Sequence, residues 1–469
     1  MSRHMNVTLL LTIFMIFLSI QSVYSKVTST DIPIRHVIVV MQEDRTFDHY
    51  FGTYPGANGI PEDFKMPINP FDPNSSYVSP FKLNVTRTPP LVKGVSVARV
   101  AYNNGSMNGF IYAQNQVGAN GTLTMGYYDS TTIPMYWNLA REYVLCDSWF
   151  ASSLGASLPN HLYLYAAQTG GYTSIPEEGL NLFTIFDLLE SNGVSWKVYV
   201  AKYDPNINYT NPEAQLQMIP KGAQLLWAPL LAIPRFVHNS TLNSKIADIS
   251  QYYVDLKGDD FPQVVFITPS GLSEHAPTDI HLGQFFVLDL INALMRSKYW
   301  YSSVLILVWD EWGGWFDHVP PPQVYEDGLG FRVPAIIISP YAKRGYIDST
   351  VYDHTSILKF IEWLFDPPPL TERDSKANNI LNAFDFSQPP RPPRIISLSY
   401  KSADEQAKEP SHSEIVFASY VVTFLMVMII PLIKRSEGYL SDVEKNLRNN
   451  DRCINFNIYF NALPKGLWA

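Results

Sequence analysis

Residues 304–322, VLILVWDEWGGWFDHVPPP, decide how this chain is to be read. The first six, Val304 to Trp309, form an unbroken apolar run, the pattern of a strand buried on both faces of a sheet. The next residues switch at once to Asp310, Glu311, Gly313, Gly314, Asp317 and His318. In an open α/β sheet, ligands sit just beyond the carboxyl ends of the strands. Two adjacent carboxylates are costly there, because unit charges ~4 Å apart repel by about 4 kcal/mol at an effective dielectric near 20. A bound cation is the usual means of offsetting that repulsion.

The same grammar recurs along the chain. Residues 35–41 (RHVIVVM) read as a buried first strand that ends in Glu43 and Asp44. Residues 261–268 (FPQVVFIT) read as another, followed by Glu274 and His275. Further strands are expected at 195–199 and 333–338. Helices are expected at 133–144, 160–168, 181–190, 281–295 and 355–365. Residues 46–123 are rich in Pro and Gly and are expected to wrap over the sheet as loops. Alternation of this kind predicts an α/β fold, a three-layer αβα sandwich with a doubly wound, mostly parallel central sheet.

Composition agrees with a folded domain in an exported protein. The chain has 469 residues, 46% hydrophobic and 16% charged, enough to bury a large core. A net charge of -9 argues against a nucleic-acid partner. Residues 1–25 have the form of a signal peptide, with Arg3 and His4 ahead of an apolar core. Residues 415–433 are uncharged and long enough to span a bilayer, and Lys434 and Arg435 follow them. The expected order is a signal peptide at 1–25, a catalytic domain at 26–395, a stalk at 396–414, a transmembrane helix at 415–433 and a cytoplasmic tail at 434–469. The catalytic part would then face outward from the cell membrane. Six N-x-[ST] sites, at Asn74, Asn84, Asn104, Asn120, Asn208 and Asn239, fall on the outward side. Cys146 and Cys453 fall on opposite sides, so no disulfide is expected.

Chemistry follows from the spacings. Glu43/Asp44, Glu274/His275 and Asp310/Glu311 converge on one sheet edge, with His318 beyond. Oxygen-rich sets suit Mg, Ca or Mn, and an added imidazole admits Zn or Fe. Ser157 precedes a helical stretch, where unpaired backbone N–H groups favour an anion. A hydroxyl and a cation at such a place suit phosphoryl transfer, with a histidine as general acid.

At this point a family resemblance is carried by specific motifs. VIVVMQEDRTFDHYFG (37–52), MNGF (107–110), GYYDSTTIPMYWNLAREYVLC (126–146), GASLPNHL (155–162), WDEWGGWFDHVPPP (309–322), VPAIIISPYAKRGYI (333–347) and YDHTSILKFIEWLF (352–365) occur in order. Together they resemble the phosphoesterase family, which contains non-specific phospholipases C and a group of acid phosphatases and is similar in core fold to the alkaline-phosphatase superfamily. The match runs over about residues 33–386. The resemblance implies that Glu43, Asp44, Asp310 and Glu311 hold a divalent metal ion (Ca, Mg, Mn or Zn). It implies Ser157 as the nucleophile, forming a phosphoserine, with Asn160, His275 and His318 around the phosphate.

Departures from the family stand beside these matches. Asp44 replaces the usual Asn, and Ser157 replaces the Thr common in the phospholipases. His161, next to Asn160 at the substrate, stands where Arg often follows Pro-Asn. The phospholipases' histidines upstream of MNGF are missing, and a membrane anchor stands in place of the larger enzymes' C-terminal β-domains. The expected activity is hydrolysis of a phosphate ester, leaning to a small-molecule acid phosphatase over a phospholipase C. A sulfatase would need an Arg that neither Cys146 nor Ser157 has, and zinc-peptidase and P-loop motifs are lacking. The rival of another class is a surface glycoprotein that keeps the fold without chemistry.

Overall fold

Two apolar runs far apart in sequence lie side by side at the centre of the molecule. In the computed structural model, which describes residues 29, 32–211, 223–325 and 328–396, eight strands form one sheet. They are β1 (His36–Gln42), β2 (Val144–Cys146), β3 (Trp196–Val200), β4 (Ile246–Asp248), β5 (Val264–Thr268), β6 (Ser303–Trp309), β7 (Ala335–Ile338) and β8 (Tyr346–Asp348). Their order across the sheet is β8-β2-β7-β6-β1-β5-β3-β4. β1 pairs in parallel with β6 from His36 opposite Ser303 to Gln42 opposite Trp309, and with β5 on its other side. Val37, Ile38 and Val40 are wholly buried, as is every residue from Val304 to Trp309, which explains the unbroken apolar runs. Each such side chain contributes roughly 1.5–3 kcal/mol through burial.

The sheet is mixed α/β and mostly parallel, as expected, with one exception. β7 runs antiparallel to both β6 and β2. The reason lies in the connection, since no helix lies between Trp309 and Ala335 among the described residues. Without a crossover helix the chain cannot return to start a parallel neighbour, and it reverses instead. The expected helix at 133–144 is observed at Pro134–Glu142, and the chain then forms β2. A three-residue strand is too short for its periodicity to stand out beside a helix.

The segment expected to be loops, 46–123, contains the helices Phe47–Phe51, Val95–Tyr102 and Phe110–Gln116. Val97, Ala101, Phe110 and Ile111 pack in one apolar cluster with Trp312, Phe316 and Phe331 from the chain beyond β6. The excursion is thus fastened directly over the carboxyl end of β6. The longest described helix, Ile280–Arg296, is capped by Asp279, and Thr355–Phe365 matches its expected span.

Among the described residues no helix is long and apolar enough to cross a membrane. The expected signal peptide at 1–25, the transmembrane helix at 415–433 and the tail at 434–469 lie outside the described residues, as does the stalk apart from Ile396. Cys146 is a buried free thiol, and Cys453 lies outside the described residues. Of the six N-x-[ST] asparagines, Asn208 is half-buried and the others are exposed.

Candidate active site

Parallel pairing brings the acids together. Because Gln42 lies opposite Trp309, the residues that follow β1 and β6 leave the sheet side by side, and Asp310 N donates to Gln42 O at 2.9 Å. Asp310 Oδ1 then accepts from the backbone N–H of Asp44 and of Glu311, each at 2.8 Å. Asp44 has a left-handed backbone, φ 68°, a conformation that Asn and Asp tolerate better than other side chains. That conformation suits the Asp found here. Gly313 faces it with φ +62°, and a Cβ at that position would sit 2.3 Å from Asp44 O.

Ser157 is the first residue of the helix Ser157–Ala166, every residue of which is buried. Ala156 occupies the cap position, so the serine hydroxyl is not used to cap the helix. Ser157 Oγ donates to Glu43 Oε2 at 3.2 Å and accepts from Lys93 Nζ at 3.0 Å. His161, one turn along the helix, places Nε2 3.0 Å from Glu43 Oε1 and 3.9 Å from Asp310 Oδ2. Asn160 turns backward: Oδ1 accepts from Ser153 N at 2.9 Å, and Nδ2 reaches the Ser153 and Ala156 carbonyls at 3.3 Å. It holds the turn that precedes Ser157. His275 lies at the cleft, with Nδ1 2.6 Å from Ala276 O and Nε2 3.3 Å from Asp44 Oδ2. Both ring nitrogens face oxygen atoms. A cleft of about 350 Å³ opens beside Ser157, lined by Lys93, Pro159, Ile175, Leu226, Trp227 and His275.

Electrostatics follow from burial. Glu43 and Glu311 are pushed well above the usual carboxylate range, mainly by burial. Burial also acts to raise Asp44, but Lys93 and then His275 outweigh it and hold that carboxyl low. Burial opposes the charge on Lys93, yet Asp44 and Glu311 lift its pKa well above the ordinary value. Burial lowers His161 to about 4, so its ring is neutral near pH 7 and able to ligate a metal. The donor set fits a divalent cation. Glu43, His161 and Asp310 present ligand atoms within 4.8 Å of one another, as do Asp44, Asp310 and Glu311, and buried Asp310 Oδ2 has no hydrogen-bond partner.

Two residues expected at the site do other work. Glu274, delivered by β5, is a fully buried hub that accepts from Tyr50 Oη at 2.7 Å, Trp309 Nε1 at 2.9 Å and Tyr136 Oη. His318 belongs to a neighbouring cluster, with Nδ1 2.7 Å from Asp48 Oδ2. Buried Arg332 ties Asp48 to Asp317 there, at 2.9 and 3.1 Å. The functional residue that sequence reasoning missed is Lys93. Its one signal was arithmetic: four converging carboxyl groups need a positive partner.

Comparison with known proteins places this geometry in context. The model of the phosphoesterase family matches residues 34–368. Phospholipase C A of Mycobacterium tuberculosis is 31% identical over 420 aligned residues, which cover 77% of this chain and 79% of that protein. Non-specific phospholipase C3 of Arabidopsis thaliana is 26% identical, covering 74% of this chain and 73% of its own. A solved protein of the alkaline phosphatase superfamily from Vibrio parahaemolyticus aligns over 76% of this chain and 70% of its own, at 12% identity and a TM-score of 0.34, too low to carry an argument.

Proposed function

The chain belongs to the phosphoesterase family and hydrolyses phosphoric ester bonds, and from that premise we propose that it is a metal-dependent phospholipase C working through a phosphoserine at Ser157. The observation that carries the mechanism is the Ser157 hydroxyl, set at a helix N-terminus between the Lys93 ammonium and the Glu43 carboxyl. Ser157 Oγ attacks phosphorus and its proton passes to Glu43 Oε2. The bond from phosphorus to the glycerol oxygen breaks, and that oxygen takes a proton from His275 Nε2. Water then attacks the phosphoserine, giving one proton to His275 while Glu43 returns its own to the serine oxygen. Lys93 and the unpaired N–H groups of the helix's first turn face the charge that develops on the phosphoryl oxygens. A divalent cation held by Glu43, Asp310 and their neighbours supplies further neutralisation of that charge when bound.

A lipid substrate is favoured by the phospholipase C relatives and by the apolar wall of the cleft, where Pro159, Ile175, Leu226 and Trp227 suit a diacylglycerol leaving group. The acid-phosphatase reading remains as the second, supported by Ser157 in place of Thr. Export and anchoring, with the catalytic part outside the cell, rest on the apolar stretches 1–25 and 415–433.

The test assays phosphatidylcholine vesicles and a soluble aryl phosphomonoester side by side. Ser157→Ala should lose at least ~10³-fold in turnover at an unchanged unfolding temperature, and acid quenching of the native protein should trap phosphate on Ser157. Turnover that survives the substitution refutes the mechanism. A preference for the monoester replaces the phospholipase with the phosphatase.

A further inference from the structure

The Ser157 hydroxyl already touches one cation, and that cation is a side chain. Lys93 Nζ is ion-paired with Asp44 Oδ1, lies 2.9 Å from Glu311 Oε1 and donates to Ser157 Oγ at 3.0 Å. Two of its N–H bonds are donated, to Asp44 and Ser157, and Glu311 is held as an ion pair, its Oε1 accepting no hydrogen bond. The backbone on either side is fixed. Val92 N donates to Gln114 Oε1 at 2.9 Å, and Val92 O accepts from Gln114 Nε2 at 2.6 Å. Lys93 O accepts from Trp312 Nε1 at 3.3 Å, and Trp312 directly follows Glu311. The lysine is therefore tied to the segment that carries its own ion-pair partner.

This placement divides the four carboxyl groups into two halves. Asp44 and Glu311 face the ammonium. Glu43 and Asp310 face His161; Asp310 Oδ2 here and Glu311 Oε1 in the other half are both buried without a hydrogen-bond partner, so what separates the halves is an imidazole in one and an ammonium in the other. A divalent ion in the first half would be pressed against a positive charge at contact distance. In the second half it would meet two carboxylates and an imidazole nitrogen.

We propose that Lys93 takes the place of a metal ion in the Asp44–Glu311 half, and that the chain binds one divalent cation, at Glu43, His161 and Asp310. The inference rests on the metal-dependent reading above and narrows it. An imidazole beside two carboxylates favours Zn²⁺ or Mn²⁺ over Ca²⁺ or Mg²⁺.

The test counts ions. The intact chain is stripped of metal, titrated with Mn²⁺ or Zn²⁺ and desalted, and bound metal per chain is measured by elemental analysis with circular dichroism as the fold control. The wild type should retain one ion, and His161→Ala should bind it more than about tenfold more weakly. Lys93→Met should retain two, and Lys93→Arg, which keeps the charge, should retain one. Two ions in the wild type, unchanged affinity in His161→Ala, or one ion in a folded Lys93→Met would each overturn the proposal. If Lys93→Met does not fold, the wild-type count and His161→Ala still decide. No ion in the wild type would sink this inference and the metal requirement together, while trapping of phosphate on Ser157 tests the nucleophile separately.

Discussion

Glu362 offers a sharp test of how burial perturbs a carboxyl group in this fold. It lies in the helix Thr355–Phe365, is 5% exposed, and neither carboxyl oxygen has a hydrogen-bond partner. Burial, and then the neighbouring Asp374, raise its pKa from 4.5 to about 9. The folded state therefore holds a proton that the unfolded chain releases near pH 4.5. The associated stability is fully present below that pH and is lost as pH climbs from there through about 9. At pH 7.5 the loss spans three pH units at ~1.36 kcal/mol each, or ~4 kcal/mol as an upper bound, and relaxation of the protein around the ionised carboxyl reduces this to ~2 kcal/mol. Glu362→Gln keeps the shape without the ionisation. It should raise the unfolding temperature by roughly 4 °C at pH 7.5 and leave it nearly unchanged at pH 4.5. Thermal unfolding of both proteins at the two pH values is the assay. An equal shift at both, or a loss of stability at pH 7.5, refutes the electrostatic account.

Two further substitutions probe the site and its support. Gly313→Ala forces a Cβ to within 2.3 Å of the Asp44 carbonyl at a left-handed backbone position. It should cost ~1–3 kcal/mol and about tenfold or more in turnover, and unchanged turnover would show that the placement of Asp44 is not needed. Arg332→Met leaves Asp48 and Asp317 buried without their cation and should cost ~3–5 kcal/mol near neutral pH. Burial already raises Asp317 to about 6, so protonation below that pH should soften the loss, as denaturant unfolding at pH 5 and pH 8 would show.

The parts of the molecule legible in the sequence were those whose burial leaves a pattern. β1 and β6 are buried on both faces, so apolar runs marked them, and an abrupt change to Glu43 or Asp310 marked their ends. Parallel pairing then made the meeting of these acids a matter of topology alone. The reversal of β7 left no such trace, because strand direction depends on the connection and not on the strand's own residues. Asn160 and Glu274 were legible as residues of the region but not in their contacts, since a buried amide or carboxyl can face a substrate or its own scaffold with the same neighbours in sequence. Lys93 was missed because a single lysine in a loop has no periodicity. Its partners are 49 and 64 positions away, at Asp44 and Ser157.

That separation has an evolutionary corollary. The sheet supplies acids whose positions are fixed by strand register, whereas the positive charge opposite them rides on a detachable excursion pinned by Gln114 and Trp312. Exchanging the excursion would retune the reaction centre while every strand stayed as it is, so descendants of one scaffold can diverge in ion requirement without rebuilding their core.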